Sequence, residues 1–162
     1  MALSMSLILI RAATAADQAA IRQIIGQARL NPMGLHWQRF IVAEELGQVL
    51  GVGQIKPHSD GTLELASLAI VPERQSAGIG SALMWTLLAR APGRLYLRCA
   101  SHNEGYYQRF GFRTLTDAEL PPSHRRIYRV ANTMIRFISL FSNDSERMHI
   151  MGRNLPKPSE QH

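Results

Sequence analysis

The chain has 162 residues, 46% hydrophobic and 19% charged, a balance that fits one folded domain and argues against a disordered chain. Its formal charge is +6, carried almost wholly by arginine, since Lys56 and Lys157 are the only lysines. Those arginines are spread along the chain without aromatic-basic alternation, which argues against a nucleic-acid surface. No apolar run reaches the ~18 residues that a membrane span needs. The single cysteine, Cys99, permits no internal disulfide. Residues 6–10 are apolar but too short for a signal segment and lead to no cleavage pattern, so the expected location is the cytoplasm.

In chain order, residues 7–11 read as a buried strand, and Thr14 or Asp17 caps the helix that follows. Ala20, Ile21, Ile24, Ile25 and Ala28 give that helix its period, and Asn31-Pro32-Met33-Gly34 ends it. Residues 39–44 and 49–55 form two strands joined by a hairpin at Glu45-Leu46-Gly47-Gln48. The loop 57–61 leads to a long strand over 62–70, then a helix over 80–90 and a strand over 94–99. A short helix over 103–110 and a strand over 112–115 follow. Pro121-Pro122 opens a helix whose apolar stripe is Ile127, Val130, Ala131, Met134, Ile135 and Ile138. That stripe is read as packing against a core or a partner, in preference to a membrane-lying helix edged by Arg125, Arg126, Arg129 and Arg136. Residues 147–151 supply a last strand. One domain is expected over residues 1–152, with a loose tail over 153–162.

The segment 65–83 carries the most information. It reads as a buried strand, a turn, and a loop with Gly78 and Gly80 that opens directly into a helix. The first amides of a helix lack internal acceptors and sit at the positive end of its dipole, so this arrangement suits a phosphate. The P-loop signature is absent. Leu83 stands where the dinucleotide fingerprint needs its third glycine. Two glycines after a strand can also make a plain turn.

Gln75-Ser76-Ala77-Gly78-Ile79-Gly80, following Val71-Pro72-Glu73, fits Arg/Gln-x-x-Gly-x-Gly/Ala and resembles the coenzyme motif of the GNAT superfamily of acetyl-CoA-dependent N-acetyltransferases. Tyr106-Tyr107-Gln108-Arg109-Phe110-Gly111-Phe112 resembles that superfamily's second segment, a helix running into a strand. The resemblance spans about residues 6–115. It implies an α/β fold: a mixed sheet of about seven strands, splayed to admit pantetheine, with helices on both faces. It implies acetyl-CoA as co-substrate and no metal.

Residue by residue, the resemblance implies that the backbone of Leu68, Ala69 and Ile70 pairs with the pantetheine arm. It implies that the amides of Gln75, Ser76, Ala77, Gly78, Ile79, Gly80 and Ser81 hold the pyrophosphate. The amide of Ile70 or Ala69 would polarise the thioester carbonyl. Tyr107 stands at the family's tyrosine position, four residues before Gly111, and would protonate the departing thiolate. Tyr106 is read as structural.

Two readings of Glu64 stand: the base that draws the amine's proton, or a solvated strand carboxylate. Regular alternation would put Glu64, Ala66 and Leu68 on one face. His36, His58 and His102 are rival bases in expected loops. Cys99 is read as a buried apolar cysteine, with acetyl passed directly to the acceptor. Family members often carry a coenzyme-contacting asparagine about seven residues before the tyrosine. Asn103 is only four before Tyr107, so that role is not carried over. The shorter spacing over 99–107 is closer to N-acetylglutamate synthases, which makes an amino acid one acceptor reading.

Acceptor recognition is expected from 30–38, where His36 and Trp37 line a pocket or Trp37 anchors the core. The acceptor amine, on a small molecule or a peptide, is not named by the sequence. The alternative to an enzyme is a non-catalytic acyl-CoA-binding regulatory domain. Neither nucleic acid nor membrane is expected as a partner, and the C-terminal helix and strand could support a homodimer.

Overall fold

A computed structural model describes residues 7–139 and 147–155, with side chains through 134 in the first stretch. Seven strands form one sheet in the order β1-β2-β3-β4-β5-β7-β6. They are β1 (Leu9–Ala12), β2 (Phe40–Glu45), β3 (Gln48–Pro57), β4 (Leu63–Ile70), β5 (Leu95–Ala100), β6 (Arg113–Thr114) and β7 (Met148–Arg153). The helices are α1 (Gln18–Gln27), α2 (Ile79–Arg90), α3 (Glu104–Gln108) and α4 (Pro122–Ser139). The chain divides into two compact units, Met1–Lys56 with Leu65–Ala91, and Pro57–Glu64 with Pro92–His162.

In the first unit, β1, β2 and β3 pair antiparallel, with Val42 opposite Arg11 on one side and Val52 on the other. Successive side chains of β3 serve opposite faces, as strand geometry requires. Val52 joins Phe40, Val42 and Ala69 under Ile21, Ile24 and Ile25 of α1. Gly51 and Gly53 flank it on the other face, where α2 lies. A Cβ at Gly51 would stand 2.7 Å from Ile70 Cδ1 and 3.1 Å from Leu83 Cδ1, and one at Gly53 would stand 2.9 Å from Leu87 Cδ1. The glycines therefore set how closely α2 approaches the sheet.

The 3₁₀ turn Ala15–Asp17 that leads into α1 is held from both directions. Thr14 and Asp17 form a capping box, and Asp17 also takes two hydrogen bonds from Arg11, at 2.7 and 3.0 Å.

In the second unit, β7 pairs antiparallel with β5 and β6. Tyr96, Leu115, Leu120 and Ile150 make its core, with Tyr128 of α4 packed against them. Of the stripe expected on α4, Ile127 and Ala131 are half-buried. The helix is seated by His124, wholly buried and stacked on Tyr96, and one turn later by Tyr128. That seating turns Val130 and Met134 outward, 56% and 59% exposed. The side chains of Ile135 and Ile138 lie outside the described residues.

The last strand runs two residues past its expected end. Arg153 closes β7 and donates from Nε to the Phe110 carbonyl at 2.8 Å, beneath Gly111. Residues 156–162, most of the expected tail, lie outside the described residues. Among the described residues no helix is long and apolar enough to cross a membrane.

Candidate active site

The first unit contains the strand-loop-helix segment. β4 runs through Leu68, Ala69 and Ile70, and Val71 donates from its backbone to the Leu50 carbonyl at 2.8 Å. A single 3₁₀ turn, Pro72–Arg74, then lifts the chain off the sheet, with Arg74 paired by both terminal nitrogens to Glu45.

Gln75, Ser76, Ala77 and Gly78 are exposed. Ser76 and Gly78 both take positive φ, 64° and 83°. Gly78 is the N-cap of α2, and no side chain caps the helix start. The amides of Ile79, Gly80 and Ser81 therefore point out of the helix without an internal acceptor. A Cβ at Gly78 would meet no atom within 4 Å, so the glycine is required there by its positive φ and not by crowding. Uncapped helix-start amides of this kind are able to hold an anion.

Upstream of the cradle, Ser67 sits in the middle of β4 with φ 56°. A left-handed residue inside a strand acts as a bulge and interrupts alternation. The expectation that Glu64, Ala66 and Leu68 share a face therefore stops at Ala66. Gln54, 1% exposed, donates to Ser67 Oγ at 2.9 Å and braces the bulge. Leu68 and Ile70 approach Gly53 and Gly51 on the α2 face, while Ala69 joins the α1 core.

His36 is exposed, and Trp37 is half-buried against the α1 core. Gln18 clamps this turn, donating to the Leu35 carbonyl at 2.7 Å and accepting from the Trp37 amide at 3.1 Å. Trp37 is thus a core anchor, and His36 is the member of the pair open to solvent.

In the second unit, Tyr107 lies on α3, edge-on to Tyr106 and to Phe112. Burial, with smaller contributions from Cys99 and Tyr106, pushes its phenol up to about 12. It is therefore protonated at neutral pH. Cys99 is 8% exposed and within 3.7 Å of Met151 Sδ. Burial, then the charge of Glu104, pushes its thiol up to about 11, so it is not a thiolate nucleophile at neutral pH.

Glu64 is the centre of a buried polar cluster. It is 2% exposed, so the reading of a solvated strand carboxylate fails. Oε1 accepts from Arg98 Nε at 2.7 Å, and Oε2 is 2.6 Å from His58 Nε2. Burial alone would raise its pKa. The charge and hydrogen bond of Arg98, helped by His58, outweigh burial and lower it.

The His58 ring lies 4.6 Å from that of His124. His124 Nε2 is 3.1 Å from Thr62 Oγ1, whose own hydrogen goes to Asp60 Oδ1 at 2.7 Å. Thr62 must then accept from His124, so His124 carries its proton on Nε2. Its Nδ1 is buried with no hydrogen-bond partner among the described residues. Desolvation, with His58 adding to it, pulls His124 down to about 4, so the ring is neutral.

Asp60 also caps α4 from across the loop, accepting from the Ser123 amide at 3.1 Å. His124 and Arg98 were invisible to sequence reasoning, because only the fold brings them to the Pro57–Glu64 segment.

His58, Glu64 and His124 offer one ligand atom each within 4.8 Å of one another. Two histidines and a carboxylate are a familiar metal-binding set. Here Arg98 and His58 already occupy the two carboxylate oxygens, and a guanidinium stands beside the place a cation would take. The arrangement is a hydrogen-bonded charge network.

Comparison with known proteins gives this geometry its relatives. A model of the acetyltransferase (GNAT) family matches residues 11–112. An amino-acid acetyltransferase of Neisseria meningitidis is 30% identical over 99 residues, 58% of this chain and 22% of the relative. The chain thus spans about a fifth of that relative's length. An N-acetylglutamate synthase of Neisseria gonorrhoeae, solved with coenzyme A and N-acetyl-glutamate, superposes with a TM-score of 0.74 at 23% identity, over 95% of this chain and 36% of that one. The ribosomal-protein-S18-alanine N-acetyltransferase of Escherichia coli superposes at 0.63 and 18% identity, over 96% of this chain and 99% of that one. With the family model covering more than half of its length, including the strand-loop-helix segment and the Tyr107 segment, this chain belongs to the GNAT acetyltransferase family.

Proposed function

We propose that the protein is an N-acetyltransferase that moves an acetyl group from acetyl-CoA directly to a primary amine. The observation that carries this is the open amide cradle at the start of α2, with Gly78 left-handed and uncapped and the end of β4 leading into it. Bound there, the coenzyme would lay its pyrophosphate on the amides of residues 75–81 and its pantetheine arm along Leu68, Ala69 and Ile70. An amide of Ala69 or Ile70 would donate to the thioester oxygen as charge develops on it.

Chemically, the amine nitrogen attacks the thioester carbon, a C–N bond forms and the C–S bond breaks. Tyr107 gives its phenolic proton to the departing sulfur. A phenol this weakly acidic does so as the bond breaks rather than before it, and the phenolate regains a proton from water before the next turnover. Glu64 provides the negative charge on the side that receives the amine's proton. Cys99 takes no covalent part, in keeping with its buried thiol.

For the acceptor, the α-amine of an amino acid is the first class to test. The short 99–107 segment supports it, and so do the meningococcal relatives, which are named for that acceptor. His36 and the 30–38 segment stand on the acceptor side of this reading. The test is coenzyme thiol release from acetyl-CoA across a panel of amino acids, polyamines and peptides. Amine-dependent release is expected. Coenzyme binding with no amine acetylated would instead mark a non-catalytic acyl-CoA-binding domain.

A further inference from the structure

We infer that the amine's proton is taken by Nδ1 of His58, with Glu64 acting as the residue that positions and polarises that ring. The inference rests on the acetyltransferase reading and names the base within it.

Access supports this assignment. Glu64 is 2% exposed and His124 is 0%, whereas the His58 side chain keeps 11% of its surface open. Arg98 is more open, but a guanidinium does not accept a proton. Of the cluster's members that can take a proton, His58 is the one that reaches solvent.

The hydrogen bonds then fix its tautomer. Glu64 is ionised, so its oxygens only accept. The 2.6 Å contact to Oε2 therefore requires His58 to donate from Nε2. In the neutral ring this leaves Nδ1 with the lone pair, and no described residue hydrogen-bonds to it. The backbone holds the ring in place: the His58 amide donates to the Thr62 carbonyl at 2.9 Å, and the Gly61 amide donates to the His58 carbonyl at 3.0 Å.

The charges around the ring suit a base. Glu64 faces it from β4, carrying the Arg98 guanidinium of β5 on its other oxygen. His124 faces it from α4 and is neutral. Asp60, in the same loop, is committed to Thr62 and the Ser123 amide. As the C–N bond forms, the proton moves from the amine to Nδ1. The resulting imidazolium is stabilised through Nε2–H by Glu64 and then releases the proton to water.

Two measurements test this. On the wild-type protein, nitrogen-15 NMR of the imidazoles should show His58 with its proton on Nε2 and a bare Nδ1. The Nδ1–H tautomer would overturn the inference without touching the acetyltransferase reading. With an acceptor from the panel, His58→Ala should lower kcat about 100-fold. Imidazole added to the buffer should restore activity in proportion to its concentration. Glu64→Gln should lower kcat by about 10-fold, with no rescue by imidazole, because the ring remains but its polarising charge is gone. Retention of wild-type kcat in both His58→Ala and His58→Gln, with Tyr107→Phe impaired, would overturn the assignment and leave the enzyme reading standing. If no amine is acetylated by the wild type while acetyl-CoA binds, that reading fails, and the NMR result still decides the tautomer.

Discussion

At the scale of single residues, burial separates the roles of groups that look alike in sequence. Tyr106 and Tyr107 are neighbours, but Tyr106 packs on Phe110 under Arg109, whereas burial pushes the Tyr107 phenol up to about 12. Tyr107→Phe should lower kcat by about 100-fold while leaving the KM for acetyl-CoA within about two-fold, as expected for a group that acts on the leaving sulfur. Asp17 shows the same sorting for stability. It is 6% exposed, and hydrogen bonds from Arg11 hold its carboxyl down at about 2 against an ordinary 3.8. A lowered pKa means stability that is present above the ordinary value and lost as pH falls through the folded one. Asp17→Asn should therefore cost about 2 kcal/mol at neutral pH, shrinking towards zero between pH ~4 and ~2. Denaturant melts of both proteins across that range check it. Equal losses at both ends would show that the carboxylate charge is not what matters.

At the scale of elements, the strands and helices were legible where one face of each is uniformly apolar. The β2–β3 hairpin, α1 with its Thr14–Asp17 box, and the β4-to-α2 segment all stand within a residue or two of where the pattern puts them. Ser67 was not legible. A left-handed residue in mid-strand leaves no mark on hydropathy, so the alternation drawn through it to Leu68 was wrong. Nor was the seating of α4 legible. Apolar spacing gave a stripe through Val130 and Met134, whereas the side chains that seat the helix on its own core are His124, stacked on Tyr96, and Tyr128. Glu64 and His58 were each singled out in the sequence, but their pairing was not, nor was Arg98, which is 34 residues from Glu64. The fit of α2 yields a direct test at this scale. Gly51→Val would drive its Cβ into Ile70 and Leu83 and should cost about 1–3 kcal/mol, read as a lowered melting midpoint. An unchanged midpoint would mean that α2 does not rest on that glycine.

For the whole molecule, the two halves of the proposed chemistry are built differently. The coenzyme side is backbone: bare amides, a left-handed glycine and a strand end, all recognisable from a short contiguous motif. The side proposed to take the amine's proton is side chains collected from the loop before β4, from β4 itself, β5 and α4, and only folding assembles it. Because Arg98 already neutralises Glu64 in that network, dialysis against a strong chelator should leave the rate of acetyl transfer unchanged. A loss restored by added zinc would reassign His58, Glu64 and His124 as ligands. The central claim is direct transfer from the coenzyme to an amine. It is tested most directly by incubating the protein with acetyl-labelled acetyl-CoA, with and without the amine panel, and following the label by mass spectrometry. The account predicts label on an amine and none on the protein. Label held covalently by the protein, or left on the bound coenzyme with every amine, would contradict it.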